Sequence, residues 1–315
     1  MLVTGADGFV GRYLVRHLLQ AGDRVAAGCR PGRPAMSWGR DAPAGAWVES
    51  LPLEITDDGS IAAALAWEPE AIVHLAAIAS VREAREDPGT AWEVNAAGTA
   101  RLAAGAAALR EAGRVDPVFL LVSTGEVYGP GGAAPRAETD PLRPVSPYAA
   151  SKVGAEAAAL ETWRRTGLRV IVARPFPHTG AGQSPQYVVP AFTARLRAAR
   201  ASGARTVPTG NLAPVRDLLD VRDVAAAYRV LLGRGTAGEV YNVSRGEGVP
   251  LTELFARLAA LIGTTAAPAP DPALVRSVDI PHLVGDSTKL RRATGWAPTL
   301  SFEQTLQGLV DAEAD

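Results

Sequence analysis

Cysteine is nearly absent from the chain: Cys29 stands alone among 315 residues, so no internal disulfide framework is available. Lysine is almost as scarce, with Lys152 and Lys289 the only two among 32 basic residues. The bias to arginine reads as GC-rich coding and makes each lysine more informative. No apolar run approaches the roughly 18–20 residues that a bilayer span demands, because Arg, Glu, Gly or Pro interrupts every candidate. The N-terminus shows no basic start, apolar stretch and small-residue cleavage site in succession. These absences predict a soluble protein in a reducing, cytoplasmic location.

Excess charge is missing too. The 32 basic and 33 acidic residues leave a formal charge of −1, too little positive field to hold a nucleic-acid backbone or an anionic lipid surface. The expected partner is a small molecule, with no nucleic acid and no membrane. His74 and His178 have no His, Cys or carboxylate partners at metal-site spacing, so no metal is expected.

What is present is an alternation of strands and helices. Met1 to Thr4 is a short apolar run entering a glycine-rich turn, after which Phe9, Val10, Leu14, Val15, Leu18 and Leu19 recur at helical spacing. Arg24 to Cys29 reads as a second strand, Pro31 to Gly45 as an exposed connection, and Trp47 to Ile55 as a third extended segment. A short helix at Ile61 to Trp67, a strand at Ala71 to Leu75, a long helix at Thr90 to Ala112 and a strand at Val118 to Ser123 follow. Helix Tyr148 to Arg165 and strand Leu168 to Ala173 continue the pattern. Units of this kind imply an α/β fold: a doubly wound parallel sheet of Rossmann type, with helices on both faces.

After Arg174 the texture changes to Pro/Gly-rich segments between shorter helices such as Asp220 to Leu232 and Leu251 to Ile262. This predicts a dinucleotide-binding domain over 1–174, joined by returning segments at about 210–245, and a smaller C-terminal α/β substrate lobe over most of 175–315.

Gly5, Gly8 and Gly11 fall directly between the first strand and the first helix. There, backbone N–H groups and a helix N-terminus can hold a pyrophosphate. An NAD-preferring site usually ends its second strand with Asp or Glu, whereas this chain has Cys29 and Arg30. A guanidinium at Arg30, helped by Arg33, suits a 2′-phosphate, so NADP(H) is preferred and NAD(H) remains the alternative. The segment Tyr148-Ala-Ala-Ser-Lys152 sets a phenol and an ammonium one turn apart on a helix face. Tyrosine is a poor proton donor–acceptor couple near pH 7 unless a cation favours its phenolate, and Lys152 is the expected cation. Ser123-Thr124, where the strand ends, can hydrogen-bond a reacting oxygen.

At VTGADGFVG (3–11), IVHLAA (72–77), Asn95 with Gly98-Thr99, STGEVYG (123–129), SPYAASK (146–152), RPF (174–176) and RDLLDVRDV (216–224), the chain resembles the extended short-chain dehydrogenase/reductase family along essentially its whole length. Segments LRPVSPYAASK, PAFTARL and VGDSTKLRRATGW bring it nearest to the group of GDP-mannose 4,6-dehydratases and GDP-4-keto-6-deoxymannose reductases. The resemblance implies a catalytic triad of Thr124, Tyr148 and Lys152, with Glu126 as an additional acid/base. It implies cofactor contacts at Gly5, Asp7, Gly8, Phe9, Val10, Arg30, Glu54, Ile55, Leu75, Ala76, Ala77, Tyr148, Lys152 and Pro175. Substrate contacts are implied at Ser123, Thr124, Glu126, Tyr148, His178, Val189, Arg216 and Arg276, and a homodimer through a four-helix bundle is expected.

Two departures bear on the reaction. Family dehydratases often carry an Asp between the triad Thr and the Glu, where this chain has Gly125; the mannose dehydratases manage with a lone Glu. Pro177 replaces the asparagine of a common RPFNH pattern, which bears on the sugar or nucleotide recognised. The single carboxylate and a length short for a mannose dehydratase favour NADPH-dependent reduction of a nucleotide-activated 4-keto-6-deoxy sugar, and the resemblance implies GDP-4-keto-6-deoxymannose to GDP-rhamnose. The alternatives are a 4,6-dehydratase or 4-epimerase with internally recycled cofactor, and a non-catalytic NADP-binding regulator.

Overall fold

The computed structural model describes residues 1–32, 38, 45–275 and 279–312. The N-terminal half runs β1 (Leu2–Thr4), α1 (Phe9–Gln20), β2 (Val25–Cys29), β3 (Val48–Pro52), α2 (Asp58–Leu65), β4 (Ala71–His74), α3 (Val81–Glu86) and α4 (Pro88–Trp92). A π-helical turn over Glu93–Ala97 then leads into α5 (Gly98–Glu111), β5 (Val118–Val122), α6 (Pro147–Thr166) and β6 (Arg169–Pro175). Beyond these come β7 (His178–Thr179), α7 (Val188–Ser202), β8 (Thr206–Thr209), β9 (Val215–Asp217), β10 (Leu219–Asp220), α8 (Val221–Arg234) and β11 (Val240–Val243). The chain closes with β12 (Gly248–Pro250), α9 (Leu251–Ile262), β13 (Ala267–Pro270), β14 (His282–Leu283), α10 (Thr288–Thr294) and α11 (Phe302–Ala312).

Seven strands form one sheet in the order β11-β6-β5-β4-β1-β2-β3, every neighbouring pair parallel. The order reverses between β1 and β4, where a ligand crevice opens at the carboxyl ends of the strands. The expected doubly wound α/β fold is therefore the one observed. Leu14, Val15, Leu18 and Leu19 of α1 pack with Val224, Tyr228 and Leu231 of α8 on one face of the sheet. Leu102, Ala103 and Ala106 of α5 and Ala155 and Ala159 of α6 cover the other. Each fully buried leucine here contributes about 1.5–3 kcal/mol. A separate apolar core joins α7, α9 and α11 through Phe192, Leu196, Leu254, Phe255 and Leu306.

Helix α6 starts where its sequence directs. Ser146 caps it, its Oγ accepting from Ala149 N–H at 3.1 Å, and Pro147 occupies the first turn. Gly167, in the left-handed region at φ +76°, ends it. The stretch expected as one helix from Thr90 is divided into α4, the π turn and α5, because Asn95 within that turn is pulled into tertiary hydrogen bonds. The short helix expected from Ile61 begins at Asp58, capped by Asp57, whose carboxylate accepts from Ser60 N–H at 2.6 Å. Most of the connection Pro31 to Gly45 lies outside the described residues; Pro31, Gly32 and Gly45 at its ends are exposed.

Candidate active site

A cavity of about 690 Å³ opens at the switch point of the sheet. Its floor is the glycine loop. Gly5 sits in the left-handed region at φ +65°, and a Cβ there would lie 2.9 Å from Ala76 N; a Cβ at Gly11 would lie 2.3 Å from the Gly5 carbonyl oxygen. Side chains at either position would break the close approach of the loop to β4 and of α1 to the loop. Gly8 is the N-cap of α1 and offers no side-chain cap, which leaves the first-turn N–H groups for an anion. The donors present thus fit the diphosphate of a dinucleotide.

The loop is braced from beneath. Thr4 Oγ1 accepts the N–H groups of Leu75 at 3.1 Å and Ala76 at 3.0 Å and lies 2.8 Å from His74 Nδ1. With both acceptor sites of Thr4 used, its own proton is left for Nδ1, and Nε2–H points to Thr99 Oγ1 at 3.1 Å. Thr99 Oγ1 donates a hydrogen bond to the Asn95 carbonyl at 2.6 Å. Burial holds the His74 pKa down to about 3, so this histidine is a neutral structural link. Asn95 finishes the brace, its side chain bonding both backbone groups of Ile78 at 2.8 and 3.0 Å and Ser151 Oγ at 2.9 Å.

The reacting groups come from β5 and α6. Thr124 Oγ1 accepts from Glu126 N–H at 3.2 Å, which leaves the threonine proton for the Tyr148 oxygen, with which Thr124 hydrogen-bonds. Tyr148 is nonetheless held as a phenol: burial raises its pKa, and the charges of Glu126 and the neighbouring Tyr187 raise it further. The expected stabilisation of the phenolate by Lys152 is not among the influences on Tyr148; burial and Glu126 dominate, and the hydrogen bond from Thr124 opposes them. Lys152 is itself buried, and desolvation brings its pKa down to about 8 against the opposing charge of Glu156.

Glu156 stands one turn after Lys152 on α6 and was not singled out from the sequence, although its i+4 spacing from Lys152 was there to be read. Its carboxylate accepts from Ser123 Oγ at 2.5 Å and from Arg174 at 2.9 and 2.7 Å. Arg174 in turn donates to the Tyr128 hydroxyl at 2.9 Å, which donates to Asn242 Oδ1 at 2.7 Å. A continuous buried polar chain thus runs from Ser123 through Glu156, Arg174 and Tyr128 to Asn242 in the last strand of the sheet, with the charge of Glu156 acting on Lys152.

Gly5, Asp7, Gly8, Phe9, Val10, Arg30, Glu54, Ile55, Leu75, Ala76, Ala77, Ser123, Lys152, Pro175 and His178 all line the cavity. Thr124, Glu126 and Tyr148 are not among the lining residues; Thr124 follows the lining Ser123 in the chain, and the charge of Glu126 acts on Tyr148 and on the lining Tyr187. His178 stacks flat against Phe9, ring centroids 6.4 Å apart, and its Nδ1 bonds the Phe176 carbonyl at 3.0 Å. Two expected substrate contacts sit elsewhere. Val189 is buried in the α7–α9 core, because it falls on the inward face of α7. Arg216 is tied to Asp279 at 2.6 Å and to the Ile280 carbonyl at 2.7 Å. Arg33 and Arg276 lie outside the described residues. Thr56, Glu83, Glu93, Gln183, Tyr187 and Tyr228 also line the cavity; no local sequence pattern marks them, since each enters by tertiary placement.

A glycine loop at a topological switch point, with a Thr–Tyr–Lys group beside it, defines a nicotinamide-dependent enzyme of the extended short-chain dehydrogenase/reductase class. The chain belongs to the GDP-mannose 4,6-dehydratase family, whose model matches residues 2–309. It is 33% identical to GDP-6-deoxy-D-mannose reductase of Pseudomonas aeruginosa, over 98% of this chain and 95% of that protein. It is 32% identical to UDP-glucose 4-epimerase of Mycolicibacterium smegmatis, over 98% and 97% of the two. Among solved structures it is similar to the Pseudomonas aeruginosa RMD protein complexed with NADPH, with a TM-score of 0.83 and 31% identity over 99% and 97% of the chains. It is also similar to the dTDP-glucose 4,6-dehydratase DesIV of Streptomyces venezuelae with NAD bound, with a TM-score of 0.87 and 29% identity over 99% and 96%. Enzymes acting on nucleotide-sugars by reduction, epimerisation or dehydration thus bracket this chain. Among the described residues no helix is long and apolar enough to cross a membrane.

Proposed function

We propose that the protein is an NADPH-dependent reductase of a nucleotide-activated 4-keto-6-deoxy sugar, converting GDP-4-keto-6-deoxymannose to GDP-rhamnose. The observation that carries this reading is the 33% identity to GDP-6-deoxy-D-mannose reductase over 98% of the chain, and the segment Thr124-Gly125-Glu126 supports it. A dehydratase must remove the C5 proton and protonate the leaving C6 hydroxyl, work often divided between two carboxylates. Here the position between Thr124 and Glu126 is glycine, and a Cβ on Gly125 would meet three ring atoms of Phe176 at 3.1 Å. A second carboxylate would have to displace that ring. Reduction asks less of the protein: a proton donor, and Tyr148 is held in its protonated form.

When bound, NADPH supplies the hydride. Tyr148 donates its phenolic proton to the sugar oxygen, Thr124 turns its single hydroxyl proton from Tyr148 to the same oxygen, and the Lys152 ammonium balances the phenolate left behind. The glycine loop and the N-terminus of α1 hold the diphosphate. Arg30, exposed at the cavity rim, would pair with the 2′-phosphate that distinguishes NADP(H) from NAD(H), and Glu54 with Ile55 would hold the adenosine half. Residues 1–174 with about 210–245 form the dinucleotide unit, and most of 175–315 forms the substrate lobe, where His178 and Arg276 serve the nucleotide-sugar. A cytoplasmic homodimer through a four-helix bundle of α5 and α6 completes the reading. It is supported by Trp92, 46% exposed beside α6.

The test mixes purified protein with NADPH and enzymatically prepared GDP-4-keto-6-deoxymannose, with GDP-mannose in parallel and mass analysis of the products. Stoichiometric oxidation of NADPH with the keto sugar is expected, and Tyr148→Phe lowers the rate about 10²–10⁴-fold. A second reading, the 4,6-dehydratase, is favoured by Glu126, whose charge acts on both Tyr148 and Tyr187. Loss of water from GDP-mannose without net NADPH consumption would establish it in place of the reductase. Cofactor binding without turnover of either sugar would instead favour a different nucleotide-sugar or the non-catalytic regulator.

A further inference from the structure

Five buried side-chain atoms have no hydrogen-bond partner among the described residues: Arg101 Nη1, Arg136 Nε, Tyr228 Oη, Ser244 Oγ and His282 Nδ1. Of these residues, Tyr228 is the one in the cavity wall. Its ring is fully buried in the core between α1 and the sheet, where the hydroxyl meets no polar partner. The other polar chains around the site end on partners, from Thr4 through His74 to Thr99, and from Ser123 through Glu156 to Arg174. A buried hydroxyl left unpaired costs about 1–3 kcal/mol, and phenylalanine would fill the same volume without that cost.

The position of Tyr228 says which part of a ligand it serves. Helix α8 packs on α1 and on β5, β6 and β7, so Tyr228 stands on the side of the crevice where Val122, Pro175 and His178 line the wall. The opposite end is formed by Arg30 and Glu54, beyond β2 and β3. Tyr228 and Tyr148 lie close enough for the charge of one to oppose ionisation of the other, and burial raises the Tyr228 pKa well above its ordinary value. Tyr228 is therefore a neutral donor at the reacting end.

We infer that the Tyr228 hydroxyl donates a hydrogen bond to an acceptor oxygen in the nicotinamide-bearing half of the bound dinucleotide. The inference rests on the cofactor reading above and adds a contact that neither the glycine loop nor the Thr–Tyr–Lys group supplies. Tyr228 acts on binding and leaves proton transfer to Tyr148.

The experiment compares the full-length protein with Tyr228→Phe by fluorescence titration with NADPH and with NADH. Each is paired with a fragment lacking the nicotinamide half, adenosine 2′,5′-bisphosphate or AMP. One donated hydrogen bond predicts that the variant binds the tighter dinucleotide about 5- to 30-fold more weakly, with no change for the fragment. Without ligand the variant should melt at the wild-type temperature or above it, because the unpaired hydroxyl is gone. Equal dinucleotide affinities, equal losses for dinucleotide and fragment, or a variant that melts well below wild type or fails to fold would each overturn the inference. A wild-type protein that binds neither dinucleotide would overturn the cofactor reading itself, and this inference with it.

Discussion

Arg174 grips Glu156 through both carboxylate oxygens, at 2.9 and 2.7 Å, with both side chains only 5% exposed. The pair joins the end of β6 to the middle of α6, one turn beyond Lys152. Its geometry is the two-pronged form in which an arginine satisfies a carboxylate best.

Glu156→Gln leaves the Arg174 guanidinium buried without its counter-charge, and removing one partner of such a pair costs about 3–5 kcal/mol. The urea midpoint should fall accordingly. The same variant removes the negative charge that supports the Lys152 ammonium. If the variant remains folded, the alkaline limb of kcat/KM should move to lower pH; an unchanged limb would show that the two charges do not communicate.

Lys152 has opposite effects on stability and activity. Its pKa falls from 10.5 when unfolded to about 8 when buried. Below about pH 8 both states carry the proton, and the cost of burying the charge is borne in full. Between about 8 and 10.5 the unfolded chain holds a proton that the folded one has released, so stability rises with pH across that window. Activity that depends on the ammonium falls as pH passes about 8. Unfolding midpoints and kcat/KM from pH 7 to 10 should diverge in this way, and Lys152→Met should abolish the contribution to both trends.

Arg30→Ala should separate the two cofactors. Losing a guanidinium contact to the 2′-phosphate predicts NADPH binding weakened about 10- to 100-fold, with NADH nearly unaffected. Equal losses for both would remove Arg30 from the 2′-phosphate.

Gly125→Ala tests the crowding behind the triad. The added methyl meets the Phe176 ring at 3.1 Å, and overpacking of this kind costs about 1–3 kcal/mol. A lower melting temperature is expected, recovered in part by Phe176→Leu. A variant as stable as wild type would show that the ring moves aside freely.

Much of the fold was legible because its signals are local. Apolar strands, the glycine loop and helix α9, whose expected limits Leu251 and Ile262 are the observed ones, all follow from short-range pattern. The π turn was not legible, since it depends on Asn95 reaching Ile78 and Ser151 across the fold. At the site, the spacing of Tyr148 and Lys152 announced a pair but not its electrostatics, because burial and the approach of Glu126 are tertiary facts. Val189 and Tyr228 illustrate the same limit from two sides. Each sits at an apolar-looking helical position, yet the first is sealed in a core and the second faces the crevice.

Strand β11 supplies the edge of the sheet beside β6, yet it is encoded beyond the whole excursion through β7 to α8. During synthesis β6 therefore exposes an unpaired row of backbone donors and acceptors until residue 243 has left the ribosome. Nascent chains that stall inside that interval would present a sticky edge to one another, and any shortened version ending near residue 174 would carry that hazard permanently.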